Sequence, residues 1–274
     1  MSGIPAPLHL ESSGQGTPLL LWHGWGMNLR VFDALRGALN DRWRTTAVDL
    51  PGHGQSSWPT EFNSAATDID AMLPPLLATL PPTTGAAPRV TLIGWSLGGQ
   101  LALRAAMLAP ERIARLVLIG TTPRFVSAPG WPHGIPESVL QDMQHRLAAD
   151  YRRTVSDFLE LQVRGSRDAT RVRQALRAAV FAHGEAQPQA LAAGLSLLAA
   201  TDLRAGLNSI QMPALVIAGQ HDRVTPPAAG AALAAALPQA TYVEIQRAAH
   251  APFLSHLESL LPILGQFLPG AGTS

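Results

Sequence analysis

The chain has 274 residues, 47% hydrophobic and 14% charged, and its 20 basic residues, all arginine, face 19 acids for a formal net charge of +1. That length suits one well-filled domain with an insertion, not two large domains, and the apolar fraction points to a packed core rather than disorder. The near-zero balance argues against a nucleic-acid protein with a global basic field, and the absence of cysteine excludes disulfides, thiolate metal sites and a cysteine nucleophile.

Short apolar runs alternate with amphipathic stretches, the βαβ signature of a mostly parallel sheet with helices on both faces. In chain order, Met1 to His9 has neither a basic region nor a long apolar run, so no signal peptide is expected. Leu19–Trp22 reads as a strand leading into His23-Gly24-Trp25-Gly26, and Val31–Leu39 as a helix. The strand Thr45–Val48 runs into Asp49-Leu50-Pro51-Gly52-His53-Gly54, a glycine- and proline-shaped turn. After Asp68, Pro74-Pro75 implies a break or a second helix start. Val90–Ile93 is a strand, Gln100–Leu108 a helix and Leu116–Ile119 a strand. The rhythm then fails from 121 to 207, which reads as helices over Pro136–Ala148, Arg152–Arg164, Ala169–Ala182 and Gln189–Ala199. Strands return at Ala214–Ala218 and Tyr242–Ile245, with helices at Ala228–Leu237 and Leu257–Phe267. The expected organisation is a core of 1–120 and 208–274 with an all-helical lid, 121–207, inserted at the open end of the sheet. No window holds the roughly 20 apolar residues of a spanning helix. A soluble, cytoplasmic monomer is expected, with no membrane or nucleic-acid partner.

Gly94-Trp95-Ser96-Leu97-Gly98 lies between a buried strand and a helix, the context of a G-x-S-x-G nucleophile elbow. A serine hydroxyl needs a base, and in this arrangement acid and histidine follow the serine in the chain. His133, His145 and His183 fall in the lid and read as surface polar groups. His221 adjoins the candidate acid, and His256 reads as capping the last helix. His250, in the loop after the last strand, is the expected base. Asp222 leaves the strand Ala214–Ala218 on the side of the site and is the expected acid, whereas Asp202 reads as a cap or loop residue. The oxyanion needs two N–H donors. By position these are the backbone N–H of Leu97 and that of Trp25, whose indole would roof the acyl pocket.

With these pieces in place, the chain resembles α/β-hydrolases and, more narrowly, the pimeloyl-[acyl-carrier protein] methyl ester esterases of biotin biosynthesis. The likeness rests on His23–Asn28, Asp49–Gly52, Gly94–Gly99 and Ala248–Phe253, with Arg153–Gln162 in the lid and Thr201–Arg204 on re-entry to the sheet. It implies that Trp25, Ser96, Leu97, Phe158, Leu159, Glu160, Leu161, Gln162 and His250 surround an acyl ester substrate. It implies ester hydrolysis through an acyl-enzyme, with no cofactor and no metal. Gln220-His221, Leu257 and Glu160 depart from the family pattern without touching the three catalytic candidates.

The lid is also rich in arginine. Arg152, Arg153, Arg164, Arg167 and Arg171 are the expected contacts for an acidic acyl-carrier protein, with 164, 167 and 171 spaced as on one helical face. An ordinary solvated helix surface is the competing reading. A broad short-chain carboxylesterase or a carbon–carbon bond hydrolase would use the same machinery, and a non-catalytic ligand receptor the same fold. A dehalogenase is excluded, because its nucleophile would be an aspartate where Ser96 stands.

Overall fold

Successive residues of a strand point to opposite faces, and here both faces are apolar. The computed structural model describes residues 8–59, 62, 68–82, 89–166 and 168–270. Its strands are β1 (Leu10–Ser13), β2 (Thr17–Trp22), β3 (Trp43–Val48), β4 (Val90–Trp95), β5 (Ile113–Ile119), β6 (Ala214–Gly219) and β7 (Ala240–Ile245). They form one sheet in the order β1-β3-β2-β4-β5-β6-β7, parallel throughout except for β1 against β3. Leu20, Leu92, Leu118 and Val216 face one apolar layer, while Leu21, Ile93, Val117 and Ile217 face the other.

The helices before the insertion are α1 (Asp33–Leu39), α2 (Leu73–Leu77) and α3 (Leu97–Leu108). Between β5 and β6 come four more: α4 (Glu137–Ala149), α5 (Tyr151–Val163), α6 (Ala169–His183) and α7 (Pro188–Ala200). The chain closes with α8 (Pro227–Ala236), α9 (Pro252–Ser255) and α10 (Leu257–Phe267). Leu76, Leu101 and Leu233 place α2, α3 and α8 on the first layer, and Leu35, Phe253 and Leu264 place α1, α9 and α10 on the second. The sheet flanked by helices and carrying an inserted helical cap is the expected fold class.

Local departures have physical causes. The expectation lacked β1, whose Leu-Glu-Ser-Ser sequence has no apolar run. It is an edge strand tied by its register to β3 and by Ser12 Oγ to Thr46 Oγ1 at 2.8 Å. The expected helix Val31–Leu39 splits into a 3-10 turn, Leu29–Phe32, and α1. Helix α3 begins three residues before Gln100, directly at Leu97. The proline pair marks a second start: a 3-10 turn, Ile69–Met72, precedes α2, whose first turn accepts proline. Arg164 and Arg171 do not share a helix. Gly165, at φ 89°, turns the chain between α5 and α6. Arg167 lies outside the described residues.

Strand β2 has β3 on one side and β4 on the other. Connections leaving β2 and β4 therefore diverge and open a crevice at the carboxyl ends, where ligands of such sheets bind. The His23–Gly26 loop leaves β2 there, and Ser96 leaves β4.

The two stems of the insertion are tied to each other. Arg124 after β5 and Asp202 before β6 form an antiparallel bridge, with Arg124 Nη1 2.9 Å from Asp202 Oδ2. Arg204 adds Nη2 to Oδ2 at 2.7 Å and Nε to Oδ1 at 2.8 Å. Hydrogen bonds from the Arg204 guanidinium are the main cause that brings the Asp202 carboxyl down to about 2; partial burial opposes them, and Arg204 N–H and Arg124 assist. A carboxyl depressed in the folded state stabilises above its unfolded value of about 3.9 and loses that stabilisation as pH falls through the folded value. Asp202→Asn should therefore lower the urea midpoint at neutral pH and flatten its decline between about pH 4 and about pH 2. An unchanged acid profile would mean that the bridge contributes nothing.

Candidate active site

Ser96 joins β4 directly to α3 at φ 56° and ψ −119°, outside the regions comfortable for a residue with a side chain. Such a conformation costs about 1–3 kcal/mol and survives only where the surroundings enforce it. They do so here by close approach. A Cβ at Gly94 would meet Gly98 O and Gly99 Cα at 2.6 Å, and one at Gly98 would run into the Trp22 and His23 carbonyls. Ser96 N–H donates to Ile119 O at 3.0 Å, and the Ser96 carbonyl accepts from Gly99 N–H at 2.9 Å and Thr121 Oγ1 at 2.8 Å. The side chain is thus presented at the N-terminus of α3, where developing negative charge is favoured.

Asp222 and His250 arrive from the ends of β6 and β7. Val224 and Thr225 N–H groups donate to Asp222 Oδ1 at 2.8 and 2.9 Å, which fixes the carboxylate on its own turn. Its other oxygen accepts from His250 Nδ1 at 2.8 Å, with both side chains buried. Donation from Nδ1 leaves the lone pair on Nε2. That atom is buried and has no hydrogen-bond partner among the described residues, so Ser96 Oγ does not bond it in this conformation. Two contacts fix the His250 backbone, His250 N–H to Gln162 O at 3.1 Å and Trp95 Nε1 to His250 O at 2.9 Å, and the Trp95 ring lies 5.5 Å from the imidazole. The structure therefore brings the expected acid and base together, and the role of Trp95 was not foreseen.

The loop after β2 crosses above the serine: a Cβ at Gly24 would lie 3.1 Å from Ser96 Cβ. Leu97, the first residue of α3, has no intrahelical acceptor for its N–H. In the loop, Met27 N–H bonds Gly24 O at 3.3 Å and Gly26 N–H bonds His53 Nε2 at 3.3 Å, while Trp25 N–H has no acceptor among the described residues. Two buried imidazoles support this loop. His23 takes Leu50 N–H on Nε2 at 3.0 Å and donates from Nδ1 to Gly24 O at 2.8 Å. His53 likewise donates from Nδ1 to Pro51 O at 3.0 Å. Burial pushes both histidines down, His23 well below its ordinary value, so both stay neutral and keep their acceptor nitrogens.

Asp49 anchors the same region. Fully buried, it accepts Leu29 N–H at 2.8 Å and Gln55 N–H at 2.9 Å. Its third partner is His183 Nε2 at 2.9 Å. His183 is therefore not a surface group, as a lone histidine in the cap suggested, but a buried link from α6 to the core. Nor is His221 idle: its Nδ1 donates to Gly165 O at 2.8 Å, another such link.

Of the expected cap residues, Phe158 and Gln162 come to the site. Phe158 stands edge-on to the Trp25 ring at 5.1 Å, and Gln162 is buried beside His250 with both amide atoms unpartnered among the described residues. Leu161 packs partly buried behind them. Leu159 turns into the α5–α6 core, and Glu160 is exposed on the outer face, ion-paired with Arg173. Their spacing explains the split, since residues four apart share a helix face and the one midway opposes it. The Trp25 indole donates to Leu191 O at 2.8 Å and lies under α7.

The arginines divide as well. Arg152 pairs with Glu185 at 3.1 Å, and Arg171 with Asp168 at 3.5 Å and the Leu254 carbonyl at 3.2 Å. Arg153 and Arg164 are exposed and make no ion pair among the described residues.

The chain belongs to the α/β-hydrolase fold family, whose model matches residues 17–257. It is 40% identical over 256 residues to pimeloyl-[acyl-carrier protein] methyl ester esterase of Nitrosomonas europaea, covering 93% of this chain and 97% of that protein. It is 36% identical to the protein of the same name from Aliivibrio salmonicida, covering 95% of each. Among solved structures, the esterase EaEST from Exiguobacterium antarcticum superposes with a TM-score of 0.82 at 22% identity, over 95% of this chain and 94% of that one. The chain is a serine-type carboxylic ester hydrolase. No helix among the described residues is long and apolar enough to cross a membrane.

The support of the loop by His53 is testable. His53→Leu removes the acceptor for Gly26 N–H and should lower kcat for a simple ester about tenfold, the scale of one hydrogen bond, with KM within about twofold. His53→Gln, which can offer an amide oxygen to the same N–H, should recover most of the loss. Equal kcat in all three proteins would remove His53 from the account.

Proposed function

We propose that this hydrolase works through an acyl-enzyme on Ser96 and that its substrate is the methyl ester of a pimeloyl chain held by an acyl-carrier protein. The observation carrying the substrate reading is the 40% identity to an esterase of that name over 93% of the chain, too much to leave out the cap. In this reading the protein is a cytoplasmic monomer of biotin biosynthesis, and 121–207 acts as the lid.

The chemistry follows from the geometry. His250 Nε2 takes the Ser96 proton as Oγ adds to the ester carbonyl, and the Asp222 carboxylate stabilises the imidazolium. The oxyanion accepts hydrogen bonds from Trp25 and Leu97 N–H. As the carbon–oxygen bond breaks, His250 returns the proton to the departing alkoxide and methanol leaves. Water then adds to the acyl carbonyl, giving its proton to His250, and Ser96 recovers a proton as the carboxylic acid departs. Phe158 and Leu161 wall the acyl chain, and the unpartnered Gln162 amide offers it a donor and an acceptor. No cofactor takes part in these steps.

A depression of about 340 Å³ lined by Arg152, Arg153, Ser156, Arg177, Phe181 and Glu185 supports an anionic carrier. Three guanidiniums face one carboxylate there, and such surfaces steer acidic partners. A second reading, a broad short-chain carboxylesterase, has the wider support. Solved neighbours matched over 94% or more of their own length are as different as an esterase and an enol-lactonase.

The two readings separate in one ratio: methanol release from a carrier-linked methyl ester over that from a small free methyl ester. Arg153→Ala with Arg164→Ala should lower the ratio about tenfold at low salt through slower association. Raising salt to physiological strength, where fields reach only about 8 Å, should weaken the wild type more than the variant. Small-ester turnover should be equal in both. A ratio unmoved by substitution and salt would leave the general carboxylesterase reading in place.

A further inference from the structure

His9 and Glu11 are two apart on an extended edge segment, so their side chains leave the same face. His183 closes the C-terminus of α6 in the cap. One donor atom from each of these residues lies within 4.8 Å of the others, and the two imidazole ring centroids are 5.2 Å apart with the rings tilted by 47°. Two histidines and a carboxylate suit borderline cations of the zinc class rather than magnesium or calcium, which prefer oxygen.

The surroundings are those of a ligating histidine. His183 Nε2 donates to the buried Asp49 carboxylate at 2.9 Å, the outer-sphere bond that fixes the tautomer and makes the other nitrogen a better ligand. Nδ1 is left with its lone pair, which here accepts a hydrogen bond from Gln55 Nε2 at 3.3 Å that a metal would displace. Glu11 and Asp33 together balance Arg30 and Arg36, so these four groups carry no net positive charge to repel a cation. Arg30 and Arg36 bond Glu11 but also reach Asp33, at 3.7 and 3.5 Å. If Glu11 turned to a metal, both guanidiniums would keep a partner.

We propose that His9, Glu11 and His183 form a structural site for a zinc-class dication that clamps the cap to the edge strand of the sheet. It lies on the β1 edge, is separate from the ester chemistry and does not depend on the substrate reading. It does revise the expectation of a chain without a metal site. Occupancy would hold α6 against β1 and reinforce the His183–Asp49 link behind the His23–Gly26 loop.

The test is calorimetric titration of chelator-treated full-length protein with zinc sulfate, with magnesium chloride in parallel and thermal unfolding of each mixture. One zinc ion per chain should bind, magnesium should not, and zinc should raise the unfolding midpoint, as a ligand selective for the folded state does. His9→Ala and Glu11→Ala alter partly exposed side chains and should each weaken binding by roughly 100-fold or more, beyond the 10–100-fold typical of outer-sphere changes. Both should lose the zinc-dependent midpoint shift while keeping wild-type ester turnover without metal. His145→Ala, on an exposed face of α4, should bind as the wild type does. Absence of saturable binding, or a stoichiometry and affinity unchanged in His9→Ala and Glu11→Ala, would overturn the site.

Discussion

The turn at Ser96 is the constraint on which the rest depends. A strand buried on both faces must pass within one residue into a buried helix, and the residue between must carry a side chain in a left-handed conformation. That is possible only because Gly94, Gly98 and Gly99 let β4 and α3 come closer than a Cβ permits. The strain needs enforcement, which comes from Ile119 and Thr121 on the neighbouring strand and its exit. What results is a hydroxyl held at a helix N-terminus, at the point where connections from the sheet diverge. The loop after β2, the turn after β6 and the loop after β7 converge on the same spot because parallel strands end on one side.

A second layer of constraint couples the cap to that turn. Asn28 Nδ2 bonds the Ala179 carbonyl near the end of α6 at 2.8 Å, Asp49 receives His183, and Gln162 O receives the His250 backbone. Trp25 is held between α7 and Phe158, while Gly24 just before it borders Ser96. Trp25 and His250, the proposed oxyanion donor and base, are thus positioned partly by the cap. Substitutions in α5 or α6 are therefore able to alter turnover without touching the serine.

Much of this was legible in the sequence. The parallel strands announced themselves because burial on both faces demands nearly continuous apolar runs, as in Leu19–Trp22 and Val90–Ile93. Ser96, Asp222 and His250 could be singled out as candidates because each immediately follows or closely trails such a run. What escaped had no local signal. β1 is polar because an edge strand can be. Helix α3 starts early because the two glycines after Leu97, poor helix formers, are there for close packing. His183 and Asp49 are 134 residues apart, so their pairing exists only in the fold. The arginine spacing misled because Gly165 interrupts the helix that would have put 164 and 171 on one face. Glu160 and Leu159 fell within a matching segment, yet helical geometry turns them away from the site.

The central claim is that a covalent acyl-enzyme forms on Ser96 with His250 as its base. Rapid acid quench during turnover of a slowly deacylating ester, followed by peptide mass mapping, tests it directly. The acyl mass should appear on the peptide spanning Gly94–Gly99, localised to Ser96. It should be present in His256→Ala and absent in Ser96→Ala and His250→Ala. An acyl group on another residue, or turnover persisting in Ser96→Ala with no acylated peptide, would contradict it.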